Sequence, residues 1–218
     1  FEKIENAVID AGKNINELSM PELDAIWDEN KKCTITDPGC SSEKEMEQLT
    51  GFITDKGLEP VCILLTHGHF DHIVSIDTLR RACQVPLMIH KEDAEMLEDG
   101  VKNAFSLFFG QDISYKPAER LLEHGDKIEL GGMDIEVVHL PGHSKGSVCY
   151  YIPGERTMFT GDLLFAQGYG RADLHGGGAG QHHLDHILGA GYAAHADDGQ
   201  FHRVIDLIDH AQRHRQDG

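Results

Sequence analysis

Apolar and polar residues alternate along the chain in blocks that predict strands and helices in turn. The continuous apolar run at residues 61–65 predicts a buried strand, because a strand covered on both faces carries few polar positions. Before it, residues 42–57 open with a capping-box pattern and carry an apolar stripe on one helical face, which predicts a helix. After it, the pattern predicts a helix over 72–81, a strand over 86–90 and a helix over 92–97.

From residue 127 onward the pattern changes to short strands joined by tight turns. Residues 133–139 alternate apolar and polar positions, and residues 157–160 form a second short strand-like run. Gly131-Gly132 and the sequence PGE at residues 153–155 supply the turns. The two halves together predict an α/β (α+β) fold, with an αβ/βα sandwich as the natural outcome.

Four potential metal ligands follow directly after the apolar run 61–65. They are His67, His69, Asp71 and His72. Side chains alternate along an extended chain, so one segment can present ligands to two adjacent metal ions. Imidazole combined with carboxylate suits zinc, iron or manganese better than a metal that prefers thiolates. The alternative interpretation is a polar loop of uncommitted histidines.

This stretch resembles the His-x-His-x-Asp-His signature of the metallo-β-lactamase superfamily. Residues 140–144 (LPGHS) and 159–165 (FTGDLLF) are similar to the family's Pro-Gly-His and Gly-Asp motifs, in the same order. The resemblance implies two divalent metal ions, with zinc expected and iron or manganese as alternatives. It implies the following ligands: His67, His69 and His143 for the first metal, Asp71 and His72 for the second, and Asp162 as the bridge between them.

The resemblance also implies the family's four-layer αβ/βα sandwich, as a single domain over residues 1–218. Both ends depart from the family pattern, at about residues 1–25 and 175–218, which leaves open whether these segments are native. No Pro-Gly-His-Gly motif follows residue 143, although the family places the last ligand of the second metal there. His195, after a possible short strand, and His202, within a predicted helix, are the alternative candidates; a third possibility is that neither completes the site.

Residues 170–174 (GRADL) resemble an element of the glyoxalase II-like hydrolases within this superfamily. That resemblance implies hydrolysis of a thioester or ester, such as S-lactoylglutathione, by a metal-bound hydroxide, with Asp71 orienting the attacking water. Hydrolysis of β-lactams is less expected, because β-lactamases usually carry another residue at the position of His72. Two alternatives stay open: a persulfide dioxygenase with a single iron, and a non-catalytic protein of the same fold.

Charge and composition limit the partners. The formal net charge of -18 disfavours nucleic acid, whose binding relies on clustered Lys and Arg. An anionic thioester needs local positive charge, for which Lys145 and Arg171 are candidates, unless both are solvated surface cations. No apolar run reaches transmembrane length, and the first residues show no secretory pattern. Because the five cysteines also form no Cys-x-x-Cys pair, we expect a cytoplasmic enzyme that acts on a small molecule.

An aromatic-rich segment at residues 101–117 resembles an insertion near the cleft. It contains Phe105, Leu107, Phe108 and Phe109. We expect these side chains to form a locally packed core cluster, and the alternative is that they cover an apolar part of a substrate.

Overall fold

The computed structural model describes residues 18–19, 31–165 and 168–178, together with the backbone of residues 193–195. His202 and most of the two atypical ends lie outside these ranges, and the single-domain interpretation stays a prediction. None of the helices in the described ranges combines the length and the apolar character that a membrane crossing requires.

Two sheets and several short helices make up the described part of the chain. The strands are β1 (Lys32–Thr36), β2 (Glu59–Leu64), β3 (Leu87–His90), β4 (Arg120–Leu122), β5 (Lys127–Leu130), β6 (Met133–His139), β7 (Val148–Ile152), β8 (Thr157–Phe159) and β9 (Ala193–His195). The helices are α1 (Glu43–Asp55), α2 (Phe70–Ile73), α3 (Ile76–Cys83) and α4 (Phe105–Phe109), with 3-10 segments at Lys91–Leu97, Pro153–Glu155 and Gly161–Leu163.

The first sheet is entirely parallel, in the order β1-β2-β3-β4. Parallel strands end at a common edge, so the residues after each strand lie side by side there. Along that edge come Asp37 after β1, the segment 66–72 after β2, the segment 91–93 after β3 and the segment 123–124 after β4. The predicted ligand segment therefore occupies a central position on the edge.

The second sheet joins β5, β6, β7 and β8 by antiparallel pairing, and β9 adds to β8 in parallel. Gly131-Gly132 connects β5 to β6, and Pro153–Glu155 connects β7 to β8, which confirms the predicted hairpins. Since β6 and β7 are antiparallel, the loop between them returns to the edge where β6 ends. That loop carries His143.

The alternation of side chains along β2 separates two cores. Ile63 and the adjoining Leu65 face the helices, whereas Cys62 and Leu64 face the second sheet. All four are at most 1% exposed, as expected for a strand covered on both sides. The arrangement confirms the predicted sandwich of helices and two sheets; the helical layer expected on the outer face of the second sheet falls on residues outside the described ranges.

Local predictions hold with shifted boundaries. The capping box of α1 is present, because the Glu45 amide donates to the Ser42 hydroxyl and the Ser42 amide donates to the Glu45 carboxylate. The helix predicted over 72–81 begins at Phe70 instead and is divided at Ser75, whose hydroxyl donates to the Pro38 carbonyl. The helix predicted over 92–97 is a 3-10 segment.

The prediction of a locally packed core cluster at residues 101–117 is wrong about burial: the rings of Phe105, Phe108 and Phe109 pack on Phe70, but the apolar tip is not part of a core. Leu107, Phe108 and Phe109 are 70%, 54% and 56% exposed. Helix α4 has only five residues, four of them large and apolar, so it has no polar side to turn towards solvent.

Two hydrogen bonds join the sheets at the ligand segment. The Val148 amide, at the start of β7, donates to the Thr66 carbonyl over 2.9 Å. The Tyr150 hydroxyl, 1% exposed, donates to the Leu65 carbonyl over 2.7 Å. These bonds fix the position of the segment 66–72 relative to the loop that carries His143.

We expect Tyr150→Phe to lower the free energy of unfolding by about 1–2 kcal/mol, because the buried Leu65 carbonyl loses its side-chain donor. Urea unfolding followed by circular dichroism measures the change. Tyr169→Phe, at a side chain that is 64% exposed, is the matched control and should leave stability unchanged. Equal stability of Tyr150→Phe and the wild type would contradict this role.

Candidate metal centre

Three histidines from two loops converge at the edge of the first sheet. The Nδ1 atom of His69 lies 2.8 Å from the Nε2 atom of His143, which lies 3.1 Å from the Nε2 atom of His67. All three residues are at most 5% exposed. The structure thus brings together the residues that the sequence predicts as ligands of a first metal.

A second cluster adjoins the first. The Nε2 atom of His72 lies 3.2 Å from Oδ1 of Asp162 and 3.7 Å from Oδ2 of Asp71. The other carboxylate oxygen of Asp162 lies 3.7 Å from Nε2 of His143, so this side chain reaches both clusters. The Asp71 side chain is 51% exposed, whereas that of Asp162 is 18% exposed, so Asp71 is the carboxylate that solvent reaches more easily.

Hydrogen bonds at the Nδ1 atoms fix which ring nitrogen of each histidine points into the cluster. His143 donates from Nδ1 to the Arg171 carbonyl over 2.6 Å, so its Nε2 atom presents a lone pair when the ring is neutral. The Thr66 hydroxyl donates to Asp37, and it therefore accepts from Nδ1 of His67 over 3.1 Å. His72 donates from Nδ1 to the Asp37 carboxylate over 3.2 Å. Such outer hydrogen bonds are typical of metal-binding histidines.

This arrangement fits a metal cation better than hydrogen bonding among the residues themselves. With the Nδ1 atoms of both rings protonated, the Nε2 lone pairs of His67 and His143 face each other at 3.1 Å. The lone pair of His72 faces an oxygen of Asp162 in the same way. A cation at each meeting point would satisfy all of these acceptors, and imidazole and carboxylate are ligands of zinc, iron and manganese.

Burial disfavours protonation of His69. Burial, with added repulsion from the neighbouring imidazoles of His143 and His72, lowers the pKa of His69 to about 3. The ring of His67 lies 4.1–4.8 Å, centroid to centroid, from the rings of His69, His72 and His143. Protonation at several of these sites would place like charges in contact inside the protein. Neutral imidazole is also the form that binds metals.

Asp37 organises both clusters from the end of β1. Its buried carboxylate accepts from the Thr66 amide at 2.8 Å, from the Thr66 hydroxyl at 2.6 Å and from His72. Its own backbone has a φ of +46°, a left-handed conformation that is costly for a residue other than glycine. The sequence analysis gives Asp37 no role; its position directly after a buried strand is the signal that could have found it.

Asp93 ties together the loops that carry the three histidines. Its carboxylate accepts from the Gly68 amide at 3.2 Å, from the Ser144 hydroxyl at 2.5 Å and from the Gly146 amide at 2.6 Å. Burial raises the pKa of Asp93, although these three hydrogen bonds oppose the rise. A Cβ atom at Gly146 would lie 2.6 Å from the Asp93 backbone nitrogen, so only glycine permits this approach. Sequence reasoning missed Asp93, because nothing in a predicted amphipathic helix distinguished it.

A cleft of about 610 Å³ opens on the same edge, towards β4. His90, His124, His139 and Lys145 lie among its lining residues. The rings of His90 and His139 stack at 3.8 Å, and burial, followed by the effect of His139, lowers the pKa of His90 to about 4. Lys145 thus lines a cleft beside the candidate centre. Arg171, the other predicted cation, is exposed and bonded to Asp173 at 2.7 Å and 2.8 Å.

The six predicted ligands therefore lie in two adjoining clusters, while their role as ligands stays a prediction. The candidate for a further ligand is described only through its backbone: the Cα atom of His195 pairs with that of Phe159 in the parallel β8–β9 ladder. His202 lies outside the described residues.

Comparison with known proteins gives a family match over most of the chain. The pattern of the family described as the Metallo-beta-lactamase superfamily matches residues 25–183. The chain is 38% identical over 146 residues to the probable metallo-hydrolase YqgX of Bacillus subtilis strain 168, a match that covers 67% of each protein. It is 31% identical over 150 residues to the hydroxyacylglutathione hydrolase GloC of Haemophilus influenzae, covering 68% of this chain and 69% of that protein.

Two solved structures are similar in both sequence and fold. The BLEG-1 B3 metallo-β-lactamase superposes with a TM-score of 0.65 at 39% identity, covering 73% of this chain and 74% of that one. TTHA1623 in a di-iron-bound form superposes with a TM-score of 0.63 at 36% identity, covering 76% of this chain and 81% of that one.

We expect Asp93→Asn to weaken metal binding by roughly 10–100-fold, because an amide cannot accept all three hydrogen bonds and the two histidine loops lose their common anchor. Competition with a chelating metal indicator measures the affinity. Asp134→Asn, an exposed carboxylate on β6, is the matched control and should bind metal like the wild type. An Asp93→Asn protein with unchanged affinity would show that the loops are held by other contacts.

Proposed function

The chain belongs to the metallo-β-lactamase superfamily of metal-dependent hydrolases, and we propose that it hydrolyses a small-molecule thioester or ester at a centre of two divalent metal ions. The observation that carries the proposal is the pair of adjoining clusters with Asp162 within reach of both. A centre of this kind suits attack of water on a carbonyl carbon.

The proposed ligands follow the two clusters. His67, His69 and His143 would hold the first metal, and Asp71 and His72 would hold the second, with Asp162 between the two metals. Zinc is the proposed metal because Zn²⁺ binds both imidazole and carboxylate and has no redox chemistry, which hydrolysis does not need. Iron is the alternative supported by the likeness to a di-iron protein, and manganese accepts the same donors.

The residues of the centre divide the chemical work. Bound divalent metals supply Lewis acidity and lower the pKa of a coordinated water towards neutrality. The half-exposed carboxylate of Asp71 can accept a hydrogen bond from that water and orient it, in addition to binding metal. The buried histidines exclude bulk solvent from the other side of the centre.

A thioester is the preferred substrate class for chemical reasons. A thiol has a lower pKa than an alcohol or a neutral amine, so the thiolate is the better leaving group. It can leave without a dedicated proton donor. The name of the GloC relative, a hydroxyacylglutathione hydrolase, supports the same class and makes S-lactoylglutathione one candidate. The cleft lined by Lys145 could receive a polar or anionic thiol portion.

Two rival activities can be weighed against this proposal. The BLEG-1 likeness favours β-lactam hydrolysis as a second candidate, since that structure is named a B3 metallo-β-lactamase. A persulfide dioxygenase with one iron would not need Asp71 and His72, whereas here both residues lie beside Asp162. The second cluster therefore supports hydrolysis over oxygen chemistry.

We also propose that the protein works in the cytoplasm without a nucleic acid or membrane partner. All five cysteines lie in the described ranges and all are free thiols, as is usual in a reducing compartment. The net charge of -18 favours a small molecule over a polyanion.

We propose His195 as the further ligand of the second metal, on the position of its backbone. Strands β8 and β9 are parallel, and the Cα partner of His195 is Phe159, three residues before Asp162. Parallel strands end at one edge, so the backbone at residue 195 and the Asp162 segment lie on the same side of the second sheet.

We expect the purified protein to contain close to two metal ions per chain and to hydrolyse thioesters. Removal of metal with a chelator should abolish hydrolysis, and zinc or iron should restore it, because no side chain replaces the activated water. Elemental analysis is paired with assays on S-lactoylglutathione, a chromogenic β-lactam and glutathione persulfide with an oxygen electrode. Oxygen uptake with one iron would support the dioxygenase, and faster β-lactam turnover would support the lactamase; either result would contradict thioester hydrolysis as the main activity.

We expect His195→Ala to reduce the metal content from about two ions to about one and to lower kcat, because the second metal loses a ligand. His202→Ala is the matched control and should retain both metals. The opposite result would assign the ligand role to His202, and two metals in both variants would show that neither residue completes the site.

A further inference from the structure

Exposed apolar side chains are concentrated in one segment. Among the described residues, four of the six large hydrophobic side chains that are exposed belong to residues 101–109. They are Val101, Leu107, Phe108 and Phe109. Scattered exposed hydrophobics are ordinary, whereas a group on one short segment marks a binding surface.

This apolar group is continuous with the candidate metal centre through Phe70. Phe70 lies in the chain between the proposed ligands His69 and Asp71. Its ring centroid is 5.9 Å from that of Phe105, 5.3 Å from that of Phe108 and 5.5 Å from that of Phe109. We call Phe70 with residues 105–109 the aromatic wall. Phe70 therefore links the wall to the chain segment that carries the proposed ligands His69 and Asp71.

The wall is held in place by buried hydrogen bonds. The Phe70 amide donates to the Asn103 carbonyl over 3.0 Å. The Asn103 side chain, fully buried, donates to the Met96 carbonyl and accepts from the Phe105 amide. Ala104 has a left-handed φ of +69° although it carries a Cβ atom and is 3% exposed. A strained residue fixed by buried polar contacts indicates that the exposure of α4 is built into the segment.

The sandwich edge thus offers a polar surface and an apolar surface near the proposed metal site. The cleft presents Lys145 and three histidines, whereas the exposed side chains of the aromatic wall are apolar. We propose that the aromatic wall binds the acyl chain of the substrate, so that the enzyme prefers thioesters with medium-length alkyl chains over acetyl or lactoyl thioesters. This inference rests on the proposed hydrolase function.

The chain-length dependence can be estimated from the burial of methylene groups. Complete burial of a methylene corresponds to about a fourfold gain in binding, and an open wall that covers one side of the chain should give about half of that free energy. We therefore expect kcat/KM to rise about twofold per methylene, or roughly 16-fold from acetyl to hexanoyl.

The experiment measures kcat/KM for acetyl, butyryl, hexanoyl and octanoyl thioesters of N-acetylcysteamine. The full-length wild type is compared with Leu107→Ser/Phe108→Ser, two exposed changes outside the proposed ligands. Leu121→Ser, an exposed leucine on β4, is the matched control. Metal content is measured for each protein, and the binding of octanoate relative to acetate is measured by calorimetry as a readout that does not need turnover.

The inference is supported if the wild type and Leu121→Ser show the rise with chain length while the double variant, with its metals retained, does not. It is overturned if the wild type hydrolyses all four thioesters equally, or if the double variant keeps the same rise. A concentration-dependent dimer that dissociates in the double variant, with the rise unchanged, would assign the wall to self-association and also overturn it.

Failure of the proposed function gives a different result. If no thioester is hydrolysed by the metal-loaded protein, the hydrolase proposal is wrong, and the octanoate measurement then decides the inference. Preferential binding of octanoate that is lost in the double variant would preserve an apolar subsite at the wall. Equal binding of octanoate and acetate would remove it.

Discussion

The site depends on one constraint: the Nδ1–H groups of the buried histidines His67, His72 and His143 already donate hydrogen bonds to fixed acceptors. These hydrogen bonds are accepted by the Thr66 hydroxyl, the Asp37 carboxylate and the Arg171 carbonyl, respectively. When these rings are neutral, their Nε2 lone pairs point to the interior of the cluster, where those of His67 and His143 face each other and that of His72 faces Asp162. A pair of divalent cations suits this set of inward-facing nitrogen and oxygen atoms.

The residues that follow the parallel strands supply the hydrogen-bond acceptors of the site. Asp37 ends β1 and Thr66 follows β2, so neighbouring parallel strands deliver both groups to one edge. Asp93 follows β3 and reaches the His143 loop through Ser144 and Gly146. Hydrogen bonds from Val148 and Tyr150 then join this edge to the second sheet. Buried polar groups of this kind are costly unless fully paired, which makes the network specific for one arrangement.

Sequence reasoning reached the parts of this account that have strong local signals. The apolar run before His67, the capping box at Ser42 and the alternating residues of β6 are local patterns, and the structure confirms the elements they predict. Asp37 and Asp93 were harder to interpret because a buried carboxylate that organises loops has no characteristic spacing. Exposure of α4 was also missed, since an apolar pentapeptide has the same composition whether it is buried or not. Residue order nominates both His195 and His202, and the described residues include only the backbone of His195, whose Cα partner is Phe159.

The most direct test of the central claim is a crystal structure of the metal-loaded protein with anomalous scattering measured at the metal's absorption edge. The account predicts two anomalous peaks about 3.5–4 Å apart. One peak should be bound by His67, His69 and His143, and the other by Asp71 and His72, with Asp162 reaching both. A single peak, or metal bound away from these residues, would contradict it.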